Sequence, residues 1–310
     1  MAMMRLDAKD VLARHDKALT KKDDFRNLYD EAYEFALPQR NLYDGYYDGG
    51  VQGQKKMNRV FDSTAINSTQ RFANRMQSGI FPPQRKWCRL EPGSDIPMDR
   101  RPEAQAALDA YSDKMFDTLK QSNFDVAIGE FLLDLCVGTA VMLVQPGDDV
   151  NPINFIPVPQ FLVSFDEGAN GQVDNVYRRM KLKAESIQRQ WPDAEIPAEM
   201  KNLIEQKPTE EIDLIEATIF DQERGDYCYH VIDKKSKTEL VYRRMDHSPW
   251  IVSRYAKIAG ETYGRGPLIT ALPDIKTLNK TVELVLKNAS LSISGVYTAA
   301  DDGVLNPNTV

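Results

Sequence analysis

Residues 267–293 read PLITALPDIKTLNKTVELVLKNASLSI, and Leu268, Ala271, Ile275, Leu278, Val282, Val285 and Ala289 fall on it at alternating steps of three and four. That spacing makes an unbroken apolar a/d seam over about three heptads. A helix over this range is roughly 40 Å long. No other predicted helix matches it, so the seam is expected to pack against a second copy of the chain or against residues the sequence does not contain. The opposite face carries Lys276, Lys280, Glu283 and Lys287 at helical spacing. Such a ladder is ordinarily a solvated face with i, i+4 support. The sharper reading is a charged stripe beside a nucleic-acid path.

Ahead of the helix, the pattern is mixed. Residues 7–36 read as two helices, with Phe25, Leu28, Tyr29, Ala32, Tyr33 and Ala36 on one stripe, stopped by Pro38. Residues 41–56 (NLYDGYYDGGVQGQKK) form a predicted loop. They lack the G-x-x-x-x-G-K-[ST] order of a phosphate cradle. Residues 63–78 form a predicted helix capped by Asp62 or Ser63 and ended by a left-handed Gly79. Its inner stripe is Ala65, Thr69, Phe72, Ala73 and Met76, and its outer face carries Arg71 and Arg75. Two further helices are predicted at 102–121 and 124–136, the second apolar enough to be buried.

From Gly138 the periodicity changes to strands. INFIPV and the alternation around EGANGQ suggest paired strands and a hairpin, and a helical stretch at 184–206, broken at Trp191-Pro192, leads into four more strands at 212–220, 227–233, 238–244 and 250–257. No βαβ rhythm occurs, so the class is α+β with meandering antiparallel strands rather than a doubly wound sheet.

Composition restricts function. The 310 residues suffice for one large domain or two ordinary ones, and the net charge of −7 repels phosphate at long range. Tight, salt-dependent DNA binding calls for a basic surface, so any nucleic-acid contact here is expected to be loose or local. Cys88, Cys136 and Cys228 lie 48 and 92 residues apart, without motif spacing, which fits reduced thiols in a cytosolic setting. Cys228 and His230 suit one face of a strand but lack the second pair a zinc site needs. No apolar run approaches the roughly 18 residues of a membrane span.

The segment 60–90, VFDSTAINSTQRFANRMQSGIFPPQRKWCRL, is the one place where candidate catalytic residue types crowd together. Asp62 and Ser63 have no histidine nearby in sequence, and no G-x-S-x-G, H-E-x-x-H or paired C-x-x-C occurs. The carboxylate pairs Asp148-Asp149, Glu210-Glu211 and Asp301-Asp302 fall in predicted loops or strand starts, where they read as solubilising charges.

This run, together with FALPQRNLY (35–43), the YGRGP turn (263–267) and the tail DDGVLNPN (301–308), resembles the head-to-tail connector, or portal, proteins of short-tailed bacteriophages. The resemblance is clear over the N-terminal third and C-terminal fifth and thinner in the β-rich middle. It implies a structural subunit without catalytic activity or cofactor, in a ring of about twelve copies at a capsid vertex, closed by heterologous contacts. It further implies partners: a packaging terminase that drives double-stranded DNA through the central channel, tail adaptor and capsid proteins, and no membrane. The setting is the virion, assembled in the bacterial host cytoplasm.

Carried over, residues 1–260 form a wing (helical 1–137, β-rich 138–260), 261–296 the first stem helix, and 297–310 the start of a clip, with the remainder of a longer protein expected beyond. Lys276, Lys280 and Lys287 are then expected to face the DNA channel. Arg71, Arg75, Leu268, Ile275, Leu278, Val282 and Val285 are expected at subunit interfaces. Two other readings compete: a phage-encoded metal-dependent nucleic-acid enzyme, and a cytosolic adaptor binding a partner helix through the 268–289 seam.

Overall fold

The computed structural model describes residues 6–40, 59–83, 85–148 and 150–294. The 41–56 loop, the 297–310 tail and Asp301-Asp302 lie outside them.

Helix α1 (Ala8–Ala36) is one continuous helix of 29 residues, where two were expected. Its N-cap Asp7 accepts from the Ala8 N–H at 2.8 Å. The continuity has a hidden cause: Val11, His15, Ala18, Lys22, Phe25, Tyr29, Ala32 and Ala36 stand at steps of four and three, and all but the half-buried Phe25 are buried. The polar His15 and Lys22 occupy the buried line and mask the period. Lys22 is accommodated because its ammonium donates to the Gln160 and Phe161 carbonyls at 2.8 and 2.6 Å. Burial nonetheless pulls its pKa well below the usual lysine range.

Helix α2 (Thr64–Ile80) follows the described start of the 60–90 run. Gly79 does not end it: the residue lies inside the helix, and it is not among the positive-φ glycines. The chain leaves at Phe81, just before Pro82 and Pro83, which cannot continue a helix. Helices α3 (Arg101–Gln121) and α4 (Phe124–Val137) match expectation, and α4 buries eight of its residues between α2 and the first sheet.

The strands form two antiparallel sheets. Strands β3 (Val163–Glu167), β4 (Val173–Lys183), β5 (Glu211–Asp221), β6 (Asp226–Asp233) and β7 (Thr238–Met245) make the expected meander in sequential order, with α5 (Ala184–Gln190) and α6 (Ala198–Gln206) inserted after β4. The last strand, β8 (Trp250–Arg254), leaves the meander and pairs with β1 (Thr139–Pro146), whose other neighbour is β2 (Ile153–Val158). The register runs from Thr139 opposite Arg254 to Leu143 opposite Trp250. This return carries the chain back beside α4, where α7 (Pro267–Ser294) begins.

The YGRGP turn joins these pieces. The Gly266 N–H donates to the Val137 carbonyl at 2.8 Å, the Gly264 N–H to Thr139 Oγ1 at 2.9 Å, and the Tyr29 hydroxyl to the Gly264 carbonyl at 2.6 Å. Backbones approach so closely here that a Cβ at Gly266 would collide with the Cys136 carbonyl and one at Gly264 with the Gly138 carbonyl. Tyr263 is fully buried against Phe165, ring centroids 4.4 Å apart.

Candidate subunit interface

Helix α7 spans 28 residues, and its two halves meet different surroundings. Leu268, Ile269 and Leu272 are buried, the first two in one cluster with Tyr29, Ala32 and Ala36 of α1. The expectation that the chain holds no helix of partner length is therefore corrected: α1 matches α7 and packs on its first half. His15 and Lys22 on the buried line of α1 hide its length in the sequence.

Further along, the apolar residues emerge. Ile275 is half-buried, Leu278 and Leu286 are exposed, and Val285 and Ile293 are 60% and 87% exposed. Val282 is half-buried. The seam is thus used inside the chain at one end and uncovered at the other. The Pro273 ring sits between the halves and removes one i→i−4 hydrogen bond.

Two sets of polar contacts hold the second half in direction. Asn279, buried on α7, accepts the Phe61 and Asp62 N–H groups on Oδ1 at 2.7 and 3.2 Å, and its Nδ2 donates to the Arg59 carbonyl at 2.8 Å. Lys276 pairs with Glu31 of α1 at 3.0 Å. No sequence signal marks Asn279 beyond its being a polar residue off the a/d seam.

The three lysines do share an exposed face, and each has a carboxylate. Lys280 and Lys287 share Glu283 at 2.9 and 2.5 Å. The hydrogen bonds from Lys287 and Lys280 hold the Glu283 carboxyl below the usual range.

On α2, the inner stripe packs as the sequence implies, with Ala65, Thr69 and Ala73 buried. Thr64, Ser68, Arg71 and Arg75 form a neighbouring line at steps of four, three and four. Arg71 and Arg75 are exposed and make no ion pair among the described residues. Between α2 and α7 runs an apolar groove of about 320 Å³, with Ala65, Phe72, Leu268, Ala271, Ile275 and Leu278 among its walls and Cys136 on its lining. Burial pushes the Cys136 thiol up to about 11, so it lines the groove as a small apolar group.

The remainder of the 60–90 run is pinned along α3. Arg89 makes a two-pronged pair with Asp109, both at 2.8 Å, and Lys86 meets Asp113. Trp87 stacks on Phe124 and meets Phe81 and Phe116 edge-on. Asp62 accepts from the Thr64 N–H and hydroxyl at 3.0 and 3.1 Å, while His15 is buried against Tyr177 and bonded to Asp16. Cys228 faces the Tyr242 hydroxyl at 3.8 Å and His230 pairs with Glu239 at 2.6 Å. Among the described residues no three His, Cys, Asp or Glu side chains stand together to hold a metal, and no helix is long and apolar enough to cross a membrane.

Helix α7 is thus braced at one end and apolar but uncovered at the other, beside an open apolar groove. Residues 8–310 match the family described as bacteriophage head to tail connecting protein, and the chain belongs to it. It is 22% identical over 290 residues, 88% of this chain and 51% of the other, to the probable portal protein of Bordetella phage BPP-1. It is 25% identical over 193 residues, 61% of this chain and 35% of the other, to the portal protein of Enterobacteria phage T3. The chain spans about half the length of the first of these and a smaller share of the second.

Proposed function

We propose that this chain is a structural subunit of the phage portal, a ring at one capsid vertex through which DNA is packaged and ejected and to which the tail attaches. The match over residues 8–310 carries this reading. The uncovered half of α7 supports it independently, since a 60% exposed Val285 and an 87% exposed Ile293 on an ordered helix call for a partner surface. In this reading residues 1–260 are wing, α7 within 261–296 is the first stem helix, and 297–310 begins a clip. Val282 and Val285, with Leu278 at the groove edge, meet a neighbouring subunit; Leu268 and Ile275 fix the helix to its own wing. The ring has about twelve copies and closes by heterologous contacts. The packaging terminase, tail adaptor and capsid proteins are its partners, in the virion and in the host cytoplasm where it is assembled.

Lys276, Lys280 and Lys287 face the channel. Their carboxylate partners suit that position, because a phosphate must displace Glu31 or Glu283 to gain a lysine, which keeps each contact weak. The subunit performs no catalysis of its own. Negative-stain images of the protein should show rings with a central hole. A discrete monomer with Mg²⁺-dependent nuclease activity, or a particle that only dimerises through α7, would overturn the reading. Replacing all three lysines with Ala should alter DNA packaging or retention, and unchanged packaging would remove them from the channel.

A further inference from the structure

Helix α3 and residues 85–100 form a largely exposed unit. Of the 21 residues of α3 only Ser112 and Phe116 are buried. At its far end residues 91–100 form two ordered turns, with the Ile96 N–H bonded to the Gly93 carbonyl at 3.3 Å and the Arg100 N–H to the Pro97 carbonyl at 3.1 Å. The Arg101 Nε bonds the Ile96 carbonyl at 3.2 Å. These turns present Met98, 82% exposed, between exposed Asp95 and Asp99, with Glu91 nearby in sequence. None of the three carboxylates makes an ion pair among the described residues.

The groove between α2 and α7 is the complement of this loop. It is apolar within, and Arg71 and Arg75 continue its α2 wall. Asp62 and Asp274 also line it and disfavour a carboxylate there, which leaves the arginine end for an acidic partner. Met98 is 82% exposed, so within its own chain the loop does not occupy the groove. The loop lies at the N-terminus of α3, a helix of 21 residues about 30 Å long whose other end adjoins α4.

We propose that the loop at 91–99 of one copy docks on the α2–α7 groove of the next, Met98 entering the apolar walls while Asp95 and Asp99 pair with Arg71 and Arg75. An unbranched methionine fits such a groove without demanding one shape. Each chain then carries one knob and one hole at different places, the arrangement that propagates head to tail and closes when the rotation allows. This rests on the ring reading above and specifies which surfaces meet.

The test uses two charge-reversed full-length variants, Arg71→Glu with Arg75→Glu, and Asp95→Arg with Asp99→Arg, followed by mass photometry and negative stain. None of the four side chains has an ion pair among the described residues, so circular dichroism should match the parent. Each variant alone should lose ring assembly, its self-association weakened on the order of a hundredfold. An equimolar mixture should recover rings, because the acidic groove of one variant meets the basic loop of the other and the unmodified surfaces meet in turn. Rings from either variant alone, or no recovery in the mixture when the parent assembles, would overturn the pairing and leave the ring reading intact. A parent and mixture that both remain monomeric at every concentration would overturn both.

Discussion

Replacing Asn279 with Ala tests whether α7 is braced as described. Its carboxamide makes three hydrogen bonds to backbone groups, of 2.7, 3.2 and 2.8 Å, and the residue is 7% exposed. A net hydrogen bond is worth about 1 kcal/mol, so three bonds set a loss of about 3 kcal/mol. Two effects reduce it. Arg59 and Phe61 are themselves exposed, so water re-solvates part of what is orphaned, and Ala gains about 0.5 kcal/mol of helix propensity over Asn. The expected net loss is about 1.5–2 kcal/mol in urea unfolding, with hydrogen exchange quickened at the Phe61 and Asp62 amides. Asn288→Ala, at an exposed position of the same helix, should instead stabilise by about 0.5 kcal/mol. If Asn279→Ala is as stable as Asn288→Ala, the carboxamide does not hold the helix and the argument for a directed α7 fails.

Along the seam, Leu268→Ala should cost about 2–4 kcal/mol because the side chain is buried, whereas Val285→Ala should stay within about 0.5 kcal/mol in the monomer and weaken only assembly; equal losses in monomer unfolding would refute the split. Arg40→Ala removes the partner of buried Asp134, to which the guanidinium donates at 2.9 and 3.2 Å, and should cost about 3–5 kcal/mol by thermal or urea melts, with a loss under 1 kcal/mol counting against a buried pair. Arg89 holds the Asp109 carboxyl down to about 2, below its ordinary value, so the pair's contribution is complete above the unfolded carboxylate value and is lost as pH falls through the folded one. The stability difference between the parent and Asp109→Asn should therefore be constant above about pH 5, shrink as pH falls toward 2 and vanish below it; a difference undiminished between pH 5 and pH 2 would contradict the pairing.

Legibility in the sequence followed the strength of local period. Helices α2, α3 and α4 and every strand were readable because apolar spacing and turn residues agree there, and α7 because its seam is uninterrupted. α1 was divided in two because His15 and Lys22 sit on its buried line, and only tertiary partners explain them: carbonyls of Gln160 and Phe161 for the lysine, the Tyr177 ring for the histidine. Gly79 was misread because a glycine near a helix end has two meanings, and here Pro82 and Pro83 supply the stop instead. The pairing of β8 with β1 depends on residues more than a hundred positions apart, beyond any local signal. Arg71 and Arg75 were visible as an outer face, yet the groove they border exists only once α2 lies beside α7.

The placement of apolar surface on α7 separates folding from assembly. Were the whole seam buried in the chain, the helix would add stability but offer nothing to a neighbour; were the whole seam exposed, its direction would be left to a helix weakened at Pro273. Instead the residues before Pro273 join the core, and Lys276 and Asn279, the first polar anchors after it, tie the next turns to α1 and to the segment leading into α2. Anchors on both sides of the proline fix the axis of the second half before any neighbour arrives. In the ring proposed above, a neighbour would meet Val285 and Ile293 on a pre-oriented helix and give up less conformational freedom in binding it. That economy matters most in a closed ring, where every subunit must present the same angle for the last contact to form.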